Sequence, residues 1–364
     1  MPSSVLNRLT HVASHTRRKP KVVVTRDLGP EIMPLLQNRT DIDMVLWTQE
    51  SACSRDWLLT NAVGATALIV LADAELFDAA GPQLNVVSTM SVGYEHVDVK
   101  EAAKRNIRVG YTPDVLTDAV ADIAVMLALM AGRLARETTA IVNEGRWPSY
   151  SWAPFLFCGR QLSAPNAKTT RTAGFIGFGR IAHATLARLV PFGFTDCIYF
   201  SNPSSAPNPS RDAELSRSIS NPNSPNGPIT IRRTDELSTI ASQSDVVFVL
   251  APGGASTQNI VSTEFLRAMK STAVLVNASR GSLVDSDALA LALREGWIWG
   301  AGLDVVAGEP HIGTDHPLVK EPRCVVLPHI GSATFETRLG MARLAVVNAL
   351  AAVDGKEMEY ELKI

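Results

Sequence analysis

Residues 174–182 read GFIGFGRIA. An apolar run stops at Gly177, a helix-compatible segment starts at Arg180, and between them lies the pattern Gly177-x-Gly179-x-x-Ala182. The first glycine permits a tight turn. The second lets backbone approach a pyrophosphate, and the small Ala182 lets the helix pack closely on the sheet, with the phosphates at the helix N-terminus. A tight turn in an ordinary α/β domain is the plain reading of such a motif taken alone. Its strand-turn-helix setting favours a dinucleotide-binding turn.

Working downstream, DCIYF, SDVVFVL, AVLVNAS and WGAGLDV are strand-like runs that alternate with helical ones, the pattern of a doubly wound parallel sheet. Upstream, KVVVT after Pro20, then MVLW, ALIV and LNVVST repeat the alternation and predict another parallel sheet covered on both faces. The fold class is therefore α/β, with two doubly wound Rossmann-like domains, the first flavodoxin-like. From Thr117, apolar residues at Val120, Ile123, Ala124, Leu127, Met130, Ala131 and Leu134 predict one long crossover helix with Thr117 as N-cap. A second helical pattern from about Phe335 to Val353 stops at Gly355 and is broad enough to return the chain to the first domain. The expected division is an extension over 1–20, a substrate domain from 21–118 with 331–364, and a nucleotide domain over 119–330. Between Ser201 and Thr230 the chain is dense in Ser, Asn and Pro and reads as a mobile loop, apart from a helical piece around Glu214.

Composition narrows the function. At 364 residues with 46% hydrophobic and 19% charged content, the chain has the balance of a soluble globular protein. A net charge of −2 offers no broad attraction to nucleic acid or an anionic membrane, which leaves a small-molecule ligand as the expected partner. Cys53, Cys158, Cys197 and Cys324 are too scattered for a disulfide scaffold or a zinc site, so no metal is expected and the thiols read as reduced and intracellular. No apolar run approaches the ~20 residues of a membrane span. The first 26 residues hold Arg8, Arg17, Arg18, Lys19, Lys21 and Arg26 but no acid. Two readings stand for them: a mitochondrial transit peptide with Val5, Leu6, Leu9 and Val12 on one face, or an extension of a cytoplasmic enzyme.

The cofactor is chosen at the end of the second strand of the nucleotide domain. An Asp or Glu there accepts hydrogen bonds from the ribose 2′-hydroxyl of NAD. Here CIYF is followed by Ser201 and Asn202, which donate hydrogen bonds and do not repel a 2′-phosphate. NADP(H) is expected over NAD(H), with Arg211 as charged partner or Arg232 or Arg233 in its place.

Three later stretches, NASRGSLVD, GLDVVAGEP and LPHIGSAT, each follow a strand-like run and project Arg280, Glu309 and His329 toward the carboxyl ends of the strands. Singly, each has a bland reading as a surface arginine, a turn-shaping acid or a structural histidine. Together they suit reduction of a 2-oxo acid. An imidazolium oriented by a carboxylate delivers a proton to the carbonyl oxygen, while a guanidinium clamps the substrate carboxylate. Asp304 is expected to face the nicotinamide amide.

With GFIGFGRIA, these stretches resemble the D-2-hydroxyacid dehydrogenase family from about Lys21 to Ile364. STMSVGYEHVD, IRVGYTPDVLTDAVADIAV and LPHIGSATFETR are most similar to its animal glyoxylate reductase/hydroxypyruvate reductase branch. The resemblance implies NADPH-dependent reduction of glyoxylate to glycolate and hydroxypyruvate to D-glycerate, with Arg280, Glu309 and His329 catalytic. It implies a substrate loop in which the N–H groups of Val92 and Gly93 bind the substrate carboxylate with Arg280, joined by Ser332. His96 nearby is expected to be structural. Cofactor contacts are implied for Gly177, Phe178, Gly179, Arg180, Ile181, Ser201, Asn202, Ala251, Pro252, Ala278, Ser279, Asp304 and Gly331. The resemblance also implies a ligand cleft between the domains and a homodimer, in which Trp152, or alternatively Trp147, reaches the partner's site. A short insertion between those tryptophans and the long loop after Phe200 depart from the family pattern. Two rival functions remain at this stage: a related enzyme such as a 3-phosphoglycerate dehydrogenase, and a dinucleotide-sensing corepressor-like binding protein.

Overall fold

A computed structural model describes residues 18–69, 74–164, 169–220 and 227–364. Most of the basic leader, including its apolar face at Val5 to Val12, lies outside the described residues. The chain forms two units. The first comprises the described residues up to Met90 with His96–Tyr111 and Ala342–Ile364, and the second comprises Ser91–Glu95 and Thr112–Met341.

In the first unit, β1 (Lys21–Val24), β2 (Asp43–Leu46), β3 (Ala67–Ile69), β4 (Val86–Ser88) and β5 (Arg108–Gly110) form one parallel sheet in the order β2-β1-β3-β4-β5. β1 is nearly all valine because a strand inside a parallel sheet is covered on both faces. Val22, Val23 and Val24 are fully buried, with Val22 opposite Met44 on one side and Ala67 on the other. β5 was not singled out from sequence. Its three residues fall between a lysine- and arginine-rich helix end and a tyrosine, too short a run to show a period.

In the second unit, β6 (Thr172–Ile176), β7 (Asp196–Phe200), β8 (Thr230–Arg233), β9 (Val246–Val249), β10 (Val274–Asn277), β11 (Gly300–Leu303) and β12 (Cys324–Val326) are also parallel, ordered β12-β11-β10-β9-β6-β7-β8. The chain builds outward from β6 in one direction and from β9 in the other. Their junction is a topological switch point, where α/β sheets bind ligands beyond the strand ends.

The helix Thr117–Gly132 packs on β11. Gly302 makes the approach possible, since a Cβ there would meet Leu127 Cβ and O at 2.8 Å. Two expectations for this helix are corrected. Thr117 is its first residue rather than its cap. The preceding Leu116 makes no side-chain capping bond, and the Thr117 N–H donates to Asp114 O at 2.9 Å. The pattern also does not run unbroken through Leu134. The Gly132 carbonyl is taken by Arg160 N–H at 2.7 Å and the Trp299 indole at 3.0 Å, Leu134 turns left-handed, and a new helix spans Ala135–Asn143.

The helical piece expected around Glu214 is present in the Ser/Asn/Pro segment. A helix spans Pro209–Ile219, capped by Asn208, whose side chain accepts from Arg211 N–H at 3.0 Å. It is anchored by buried Asp212, which accepts from the Tyr199 hydroxyl at 2.6 Å. Burial and that carboxylate push the phenol up to about 12. Residues 221–226 lie outside the described residues.

Candidate active site

The glycine turn joins β6 to the helix Arg180–Leu189 at the switch point. Gly177 has φ +87°, and a Cβ there would stand 2.5 Å from Ala251 N, so both conformation and packing require glycine. Gly179 is different. Nothing lies within 4 Å of its missing Cβ, so no protein packing demands a glycine there. Gly179 is also the N-cap of a ten-residue helix and offers no side-chain cap, which leaves the first-turn N–H groups for an external acceptor. Open space beside uncapped amides fits a pyrophosphate, and the turn passes this test as a dinucleotide cradle.

Neighbouring side chains sort by direction. Phe178 is buried and stacked on Tyr199 with centroids 4.1 Å apart, so only its backbone is offered to a ligand. Arg180 forms an ion pair with Asp114. Ile181 is half-buried, Pro252 is exposed, and Ala251 and Ala278 are mostly buried beside the switch point. The Ser279 hydroxyl donates to Ala251 O and ties the loop after β10 to the loop after β9. Ser201 is half-buried and Asn202 exposed. Arg211 turns to Asp212 at 3.1 Å and not to Ser201, whereas Arg233 donates to Asn202 O at 3.4 Å and to Ser205 O. Arg232 turns to Gln243. Arg233 is therefore the cation beside the chain that follows β7.

Beyond β10, β11 and β12 lie the predicted reacting groups. His329 Nδ1 stands 2.9 Å from Glu309 Oε1, and the Val306 N–H donates to Glu309 Oε2 at 3.2 Å. One carboxylate thus holds the ring with one oxygen and is itself held by the other. The side chains of His329 and Glu309 are 52% and 32% exposed, open enough to meet a ligand. His329 adopts φ +55°, an uncommon conformation for a residue with a Cβ. Asp304 maintains it. Asp304 Oδ1 accepts from Ile330 N–H and Oδ2 from Gly331 N–H, both at 2.8 Å, while the His329 N–H donates to Asp304 O at 2.9 Å.

Asp304, the residue expected at the nicotinamide amide, is thus also the anchor of the loop that carries His329. The residue is 2% exposed and both oxygens are engaged by backbone. Burial pushes its carboxyl up from the usual range, and the two amides pull back. Gly331 is needed because a Cβ there would meet Asp304 Oδ2 at 2.8 Å.

Arg280 donates from Nη1 to Ser279 O at 2.8 Å and from Nη2 to Glu95 Oε2 at 3.0 Å. Its guanidinium lies against Gly93, where an added Cβ would fall 1.5 Å from Nη2. The stretch Ser91–Glu95, with Val92 and Gly93, belongs to the same unit as Arg280. Sequence reasoning missed two residues here. Asn277 is fully buried and clasps the turn, donating to Arg280 O at 2.9 Å and accepting from Ser279 N–H at 3.1 Å. Glu95 pairs with Arg280. A polar residue ending a buried strand signalled the first, and nothing local signalled the second.

Ser332 is half-buried. Trp152 and Trp147 are 86% and 62% exposed, and Trp152 makes no aromatic contact among the described residues.

A dinucleotide cradle, an acid-held imidazole and a guanidinium on one sheet define an oxidoreductase that uses a nicotinamide dinucleotide. The family model for the D-isomer-specific 2-hydroxyacid dehydrogenase NAD-binding domain matches residues 125–331. The glyoxylate reductase/hydroxypyruvate reductase of Homo sapiens is 40% identical over 95% of this chain and 99% of its own length. A glyoxylate reductase of Thermofilum pendens is 39% identical over 93% of each chain. Among solved structures, an NADPH-dependent glyoxylate/hydroxypyruvate reductase from Sinorhizobium meliloti, in complex with NADP and malonate, is 30% identical with TM-score 0.72, covering 94% of this chain and 97% of that one. The chain belongs to the D-2-hydroxyacid dehydrogenase family.

Proposed function

We propose that the protein reduces glyoxylate to glycolate and hydroxypyruvate to D-glycerate with NADPH. The observation that carries the chemistry is the 2.9 Å pairing of His329 Nδ1 with Glu309. It leaves Nε2 as the ring nitrogen that passes a proton to the substrate oxygen, and it fixes the orientation of the ring. A reduced nicotinamide dinucleotide, held by its pyrophosphate at the glycine turn, would supply the hydride. Arg280 binds the substrate carboxylate and, with the Val92 and Gly93 N–H groups, orients the carbonyl. As the carbonyl carbon gains hydride and its oxygen gains charge, His329 gives up its proton to that oxygen. Glu309 keeps the ring in place and is itself held by the Val306 N–H.

Three features support NADPH over NADH: no carboxylate at Ser201–Asn202, Arg233 at the Asn202 carbonyl, and the NADP named in the Sinorhizobium complex. The same reading makes the chain a homodimer, with the exposed Trp152 covered by a second copy. The test is a steady-state comparison of glyoxylate, hydroxypyruvate, pyruvate and phosphohydroxypyruvate with each cofactor. NADPH should exceed NADH by about tenfold in kcat/KM, the scale of one charge-assisted phosphate contact. No cofactor oxidation above background with any of the four acids ends the enzyme reading. Preference for NADH ends the cofactor reading.

A further inference from the structure

We propose that Glu95 is a resident carboxylate on the Arg280 clamp, beside which the substrate carboxylate binds and which selects singly charged over doubly charged acids. The inference rests on the reading of Arg280 as the substrate clamp.

Glu95 Oε2 lies 3.0 Å from Arg280 Nη2. Both groups meet at Gly93, where an added Cβ would stand 1.5 Å from Arg280 Nη2 and 2.5 Å from Glu95 Oε2. The other Glu95 oxygen faces the loop after β9, 3.4 Å from where a Gly253 Cβ would be, and Arg280 Cγ is 3.1 Å from the same point. Two glycines thus clear space for this carboxylate and this guanidinium together. Arg280 spends one N–H of Nη1 on Ser279 O and one N–H of Nη2 on Glu95, so Glu95 stands at the fork beside the donors left for a substrate carboxylate.

A substrate carboxylate seeks paired N–H donors on a guanidinium, and here it meets a carboxylate already in possession of one. With side chains 31% and 43% exposed, the pair is wet enough to admit a further charged group. Charge then sets the selection. Glu95 sets one negative charge beside the incoming acid, and a doubly charged acid meets about twice the repulsion of a singly charged one, which water only partly screens. A purely structural brace would have the opposite signature, because its loss would let Arg280 wander and weaken every anion alike.

Oxamate and oxalate separate the two roles. They share a planar two-carbon skeleton and differ by one negative charge. Their binding to the NADP-loaded protein is measured by calorimetry, alongside glyoxylate kinetics, for the native chain, Glu95→Gln and Glu95→Asp. Glu95→Gln should tighten oxalate by about five- to tenfold and oxamate by no more than about twofold, as expected for one like charge removed at a wet site. KM for glyoxylate should fall while kcat stays within about twofold, and Glu95→Asp, which keeps the charge, should stay near the native ratio. Equal weakening of both anions with a raised KM, or unchanged constants, overturns the proposal. Native protein that binds neither anion overturns it as well. Native protein that binds both but turns over no 2-oxo acid leaves the selection standing and removes the proposed function instead.

Discussion

In the five-stranded sheet, β4 ends in Ser88 and is followed by Thr89, both buried, and the Ser88 hydroxyl donates to Ala345 O at 2.7 Å on the helix Phe335–Val353. In the seven-stranded sheet, the segments after β6, β10, β11 and β12 carry Gly179, Arg280, Glu309 and His329, of which the last three remain partly open to solvent. Parallel topology creates the same opportunity at both sets of strand ends, since both leave polar backbone there. What differs is how it is satisfied. In the first unit, the chain's own C-terminal helix takes up hydrogen bonds at the ends of β4 and β5. In the second, glycines at 177 and 281 let neighbouring loops touch through backbone, Gly331 makes room for the Asp304 carboxylate, and charged side chains are left facing outward. A Cβ on Gly281 would strike the Val306 carbonyl carbon at 2.1 Å, so the loops bearing Arg280 and Glu309 meet only because residue 281 has no side chain.

The sharpest way to break this contrast is at His329. Asparagine tolerates the left-handed backbone that residue 329 adopts, so His329→Asn removes the proton carrier with little added strain. Turnover should fall by roughly 100-fold or more, the scale of a lost general acid, with the urea midpoint unchanged. A large loss of stability together with modest loss of turnover would make His329 a packing residue, like the polar groups of the first sheet.

Asp304 lies between the two behaviours, because it is buried like Ser88 yet shapes the loop that presents His329. Asp304→Asn keeps the size but places an NH2 where a carboxylate oxygen accepts a backbone N–H. One of the Ile330 and Gly331 amides then goes unpaired, at a cost of about 1–3 kcal/mol in urea unfolding. Turnover should drop by about tenfold as the imidazole loses its placement. Reduced stability with unchanged turnover would show that the loop needs no such anchor.

The alternation of β-rich and helical runs exposed both sheets in the sequence, and the glycine spacing exposed the cradle, because these signals are local and periodic. β8 escaped notice because TIRR is short and half arginine, as an edge strand tolerates. The helix Pro209–Ile219 showed in the sequence only as a helical piece around Glu214, because what holds its full length is a bond from Tyr199 on a different strand. Arg280, Glu309 and His329 were legible as a set since each follows a strand. Glu95 and the loop-anchoring role of Asp304 were not, because their partners lie 185 and 26 residues away in sequence and only the folded backbone brings them together.

The converse test lies in the first unit, at Asn348. It is fully buried, donating to Tyr111 O and accepting from Tyr360 N–H, each at 3.1 Å, and its Cβ would meet one on Gly110 at 2.9 Å. It thereby joins the helix Phe335–Val353 to the chain beyond β5 and to the C-terminal segment. Asn348→Ala strips both partners at once and opens a small void, so unfolding free energy should fall by about 2–3 kcal/mol. Because these bonds serve only the covering of strand ends, kcat/KM for glyoxylate should remain within about twofold below the unfolding transition. A tenfold kinetic loss in a still-folded Asn348→Ala protein would mean that the first sheet's polar ends also serve the reaction, and the division of labour between the two sheets would fail.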